Sequence, residues 1–219
     1  MAKGGHSIIF GLKGGLLAEV LKSVRDAVQA APDLQSTGEY FLTLWTKDRS
    51  DAELVAWRTG LAHDALPVVE EPAASFNQVS FTVHAATPTG VAVEAGLVLV
   101  SHERGVLIQL VFVRDILEDD GAGWIIKTLD RLVPALGFDS AILSDTVDEA
   151  AISRRVAAGE SLTTIISARM RGLDELPPPL LAMVKAERTE PDLWDVARDR
   201  GVNVRMTPKG FVVFLTVDL

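Results

Sequence analysis

Between Asn77 and Asp115 the chain first alternates and then turns almost continuously apolar. Val79, Phe81 and Val83 alternate with Ser80, Thr82 and His84, which predicts a strand with one polar face. A Pro-Thr-Gly turn follows, then Val91–Val100, whose only interruptions are Glu94 and Gly96. After Ser-His-Glu-Arg-Gly comes Val106–Val113, where Gln109 is the polar exception. Both runs fall short of the roughly 20 residues a bilayer span requires. Their Val, Leu, Ile and Phe favour a pleated, packed surface. Strands this apolar imply cover on both faces, or at least a central place in the sheet. Residues 101–105 suit a hairpin loop, with Gly105 free to take positive φ. A buried helix over Val91–Val100 is the competing reading, since periodicity alone does not separate the two in a short run.

The flanking segments read as elements packed on that sheet. Ser7–Leu12 predicts a strand, Gly11–Gly15 a flexible turn, and Leu17, Val20, Leu21, Val24, Val28 and Ala31 one stripe of a helix that Pro32 ends. Glu39–Trp45 predicts a strand. Ser50-Asp-Ala-Glu53 has the form of a capping box, predicting a helix with Leu54, Trp57 and Leu61 on one face. A loop spans 66–75. A helix follows Gly121, with Trp124, Ile125, Leu129, Leu132 and Val133 inward and Gly137 as its stop. Ala141–Leu143 reads as a short strand, and Asp145 as the cap of a helix to about Ala158. Ser161–Met170 is ambiguous, because Thr163–Ile166 prefers strand while Arg169 and Arg171 could continue a helix. Pro177–Pro179 is a rigid turn. Thr189 is placed to cap a helix with Pro191 in its first turn, ending at Gly201. Val202–Met206 and Phe211–Val217, joined through Pro208, predict a terminal hairpin. Helices and strands mix without strict alternation. The expected fold is therefore α+β, a mostly antiparallel central sheet with helices packed on it. It is expected to form a single domain over residues 1–219, with a subdomain boundary, if any, near 175–180.

Composition narrows the function classes. The 219 residues are 48% hydrophobic, enough for a core without covalent staples. There is no cysteine, which removes disulfides, thiolate catalysis and cysteine zinc sites and suits a cytoplasmic protein. No secretory signal or membrane span is read in the sequence. The formal charge is −9, and no basic cluster exceeds the pair Arg154-Arg155, so nucleic acid and anionic membrane are poor ligands. A basic protein partner is compatible with that charge.

The search for chemistry returns little. Lys13 precedes Gly14-Gly15 instead of following a glycine with a hydroxyl after it, so the phosphate-loop pattern fails, as does the dinucleotide glycine pattern. No pair among His6, His63, His84 and His102 has metal-ligand spacing, and no serine elbow occurs. No catalytic residue, cofactor site or metal site is assigned. His84, on a polar strand face, and His102, in a loop beside Glu103, are the candidate bases of an alternative enzyme reading. Acidic residues gather at Glu70-Glu71, at Glu118, Asp119 and Asp120, and at Asp148-Glu149. Near helix starts such residues complement the helix dipole. They are also the candidates for a charged rim that binds a partner.

The strand Tyr40-Phe-Leu-Thr-Leu-Trp45, the strand Val79-Ser-Phe-Thr-Val-His84 and the acidic segment between them resemble bacterial toxin-immunity proteins, specifically the immunity protein 52 family, over about residues 39–85. The resemblance implies a cytoplasmic protein that neutralises a secreted, nuclease-type toxin by direct binding, with no catalytic residues of its own. A nuclease toxin carries a basic phosphate groove, toward which an acidic inhibitor is steered. Two other readings stand beside it: a small-molecule enzyme with a histidine or carboxylate base, and a chaperone or adaptor for a secreted effector. An exposed sheet edge could also pair with a second copy.

Overall fold

The computed structural model describes residues 5–29, 39–46, 52–58, 76–86, 92–112 and 121–216. Among these residues ten strands run in chain order as β1 (His6–Lys13), β2 (Glu39–Thr46), β3 (Ala52–Arg58), β4 (Phe76–Ala86), β5 (Ala92–His102), β6 (Gly105–Phe112), β7 (Ser140–Asp145), β8 (Leu181–Lys185), β9 (Asn203–Met206) and β10 (Phe211–Leu215). They form one sheet in the order β3-β2-β4-β5-β6-β1-β7-β8-β10-β9. Every neighbouring pair is antiparallel, as expected from the mixed element order. Five described helices pack on it: α1 (Leu17–Gln29), α2 (Gly121–Ala135), α3 (Thr146–Ala157), α4 (Leu162–Arg171) and α5 (Leu193–Asp199).

The apolar pattern of β1 explains its central place. Ile8 and Phe10 enter the core on one face of the sheet, while Ile9 enters the core on the other. On the first face α1 contributes Leu17, Val20, Leu21 and Val24, and α2 contributes Trp124, Ile125, Leu129, Leu132 and Val133. Trp124 meets Phe112 of β6 edge-on at 6.5 Å between ring centres, a favourable aromatic geometry. On the second face α3, α4 and α5 contribute Ile152, Val156, Leu162, Ile165, Ile166, Met170, Leu193 and Ala197. The predicted apolar positions of α1 and α2 that are described are thus core positions.

The hairpin of β5 and β6 is tighter than the loop expected over 101–105: Ser101 pairs with Val106 and His102 with Gly105, which leaves Glu103-Arg104 as the turn. Gly105 has φ +145°, and a Cβ there would lie 2.5 Å from the Lys13 carbonyl oxygen, so only glycine fits. The expectation of cover on both faces of β5 holds in part: Ala95, Leu97 and Leu99 are buried, whereas Gly96, Val98 and Val100 are half-exposed. The reason is that the core beneath α3 to α5 is built on β6, β1, β7, β8 and β10 and reaches β5 only at Val100.

Several expectations are corrected. Ala52–Arg58 is a strand, not the helix inferred from the capping-box pattern; it pairs with β2 from Glu39↔Arg58 to Trp45↔Ala52. Leu54 and Trp57 have helical spacing, but the stretch Leu54-Val55-Ala56-Trp57 fits a pleated strand equally, and the available partner strand decides. Residues Ser50 and Leu61 of that reading lie outside the described residues. The Gly11 turn is instead part of β1, where the register against β6 shifts between Ile9 and Gly11. The ambiguous segment 161–170 is helix α4. The helix expected from Thr189 begins only at Leu193, because Thr189 Oγ1 donates to the Lys185 carbonyl and Pro191-Asp192 form a turn. Strand β8, not anticipated, pairs with β7 and β10. The terminal hairpin is present as β9 and β10.

Candidate functional site

Helix α4 organises the polar side of the molecule. Its start is fixed by Ser161, whose Oγ accepts from the Thr164 N–H at 3.1 Å. Its end is a Schellman motif: Gly172 has φ +69°, its N–H donates to the Arg169 carbonyl, and the Leu173 N–H donates to the Ala168 carbonyl. Arg200 adds a cationic cap, with Nη1 donating to the carbonyls of Arg169 and Met170 at 3.1 and 2.8 Å.

Two arginines on α4 point opposite ways. Arg169 is only 1% exposed; its Nη2 donates to Asp148 Oδ2 at 2.7 Å and its Nε to the Pro177 carbonyl at 2.6 Å. Burial pushes its pKa down, and the Asp148 charge and hydrogen bond oppose that. Arg171 faces outward and holds Asp192 through both guanidinium ends, at 2.9 and 2.8 Å, and Glu190 at 2.6 Å. Ser167 Oγ donates to the other Glu190 oxygen at 2.9 Å. The hydrogen bond from Arg171 holds Asp192 below the usual carboxylate range. Arg155 reaches from α3 to Glu160 at 2.7 Å and to Asp174. Burial pushes Asp174 up, but the hydrogen bonds from Arg155 and the Leu176 N–H prevail, and its pKa lies below the usual value.

Beside α4 lies an open hollow of about 550 Å³, bordered by Ser161, Thr164, Arg171, Leu173, Arg188 and Glu190. A second, more open hollow of about 530 Å³ lies along α1, with Glu19, Lys22 and Asp26 at its border. Among the described residues neither is bordered by a histidine.

The candidate residues fall in three groups. Glu70, Glu71, Glu118, Asp119 and Asp120 lie outside the described residues, as does His63. Asp148 and Glu149 sit together in the first turn of α3, where the Asp145 side chain accepts from the Asp148 N–H at 2.9 Å. Both carboxylates have partners within the chain: Asp148 holds Arg169, and Glu149 accepts from the buried Gln109 Nε2 at 2.9 Å. Gln109, the polar exception in an apolar run, is thereby accounted for; it also donates to Ser153 at 2.7 Å. His84 stands in β4 opposite Glu94, and His102 at the end of β5 opposite Gly105. Among the described residues no group of three His, Asp or Glu side chains could hold a metal ion. No described helix is long and apolar enough to cross a membrane.

Sequence reading missed Arg171, Leu173, Glu190 and Asp192. Their types carried no signal, because the ion pairs join residues 19 and 21 apart across a turn and a strand.

No protein-family model and no curated protein matches the chain. Among solved structures, a chain from the 1.75 Å crystal structure of the toxic C-terminal tip of CdiA from Pseudomonas aeruginosa in complex with immune protein is similar over 65% of this chain and 86% of that one. The identity is 14% and the TM-score 0.38, a likeness that carries no argument about function.

Proposed function

We propose that this chain is a protein-binding inhibitor, an immunity protein of the cytoplasm that neutralises a cognate secreted, nuclease-type toxin by direct binding. The observation that carries the reading is its net negative charge, −9 at neutral pH. Acidic residues outnumber basic ones 30 to 21. A field of that sign accelerates encounter with a basic groove and discourages other acidic proteins. The resemblance in residues 39–85 points the same way. Glu70, Glu71, Glu118, Asp119 and Asp120 are proposed as the charged rim. Asp148 and Glu149, engaged with Arg169 and Gln109, add to the field through their position at the start of α3.

Co-purification of the tagged chain from its source organism, eluted first in low and then in high salt, tests this. The expected result is one basic protein at one-to-one ratio, released only by high salt and toxic when expressed alone. No partner at any salt, in cells that express the neighbouring genes, would refute the reading and turn attention to His84 and His102 as bases of an enzyme. A partner whose export depends on the chain, with its toxicity unchanged by binding, would identify an adaptor instead.

A further inference from the structure

We draw no further inference here: the strongest candidate, the outer edge of the sheet at β9, where Arg205 and Met206 are exposed, carries nothing because nothing in the structure shows what covers it.

Discussion

The two faces of the sheet are built differently. On the first, α1 and α2 are held mainly by apolar stripes, with a few polar ties such as Lys13 Nζ donating to Ser23 Oγ at 2.8 Å and to the Leu136 carbonyl at 2.7 Å. On the second, α3, α4 and α5 share an apolar core but are also clamped by Arg155, Arg169, Arg171 and Arg200. An apolar layer adapts to many partners of similar volume, whereas a clamp demands particular groups at particular distances. The second face therefore has a fixed surface geometry, and its α4 side carries the hollow.

The comparison breaks most sharply at Arg169. Arg169→Ala leaves the Asp148 carboxylate and the Pro177 carbonyl without their partner, and should cost about 3–5 kcal/mol in urea unfolding. Replacing the pair together, with Arg169→Met and Asp148→Leu, should recover most of that loss, since a matched apolar pair leaves no uncompensated charge. On the first face Leu129→Ala should cost about 3 kcal/mol through its cavity, with little dependence on pH.

Acid separates the faces next. The folded-state pKa values of Glu160, Asp174 and Asp192 are depressed. Their contribution is present in full above the unfolded carboxylate pKa of about 4 and is lost as pH falls through the lower folded values. Melting temperature should thus drop between about pH 5 and pH 2. Asp174→Asn should lower stability by about 1 kcal/mol at neutral pH, a figure limited by solvent screening of the half-exposed Arg155, and the deficit should shrink in acid. Smaller still, Ser161→Ala removes the cap of α4 and should cost roughly 0.5–1 kcal/mol, largely restored by Ser161→Asp. Leu173→Asp should leave the melting temperature unchanged, since its side chain stands in water.

The same contrast governs what could be read in the sequence. The first face was legible because α1 and α2 repeat apolar residues at three- and four-residue steps, and β4 to β6 because alternation and continuous apolar runs have few other uses. The cap at Asp145 was legible from its residue type. Strand β3 was misread because seven residues carry too few periods to separate 3.6 from 2, and the partner strand that decides the matter is not adjacent information in the chain. Strand β8 is hard to read from Leu180-Leu-Ala-Met-Val184 because a five-residue apolar run directly after three prolines fits a turn and a buried segment equally well. Arg169, Asp148 and Gln109 show the harder limit. Each looked like a surface residue or an isolated exception, and only the fold brings Arg169 to Asp148 and Gln109 to Glu149.

The most direct test of the inhibitor account is a titration of the co-purifying protein's toxic activity with increasing amounts of this chain. The account predicts a linear fall to zero at one-to-one ratio, with an association rate that drops steeply as salt rises. Toxic activity that persists at full occupancy would contradict it.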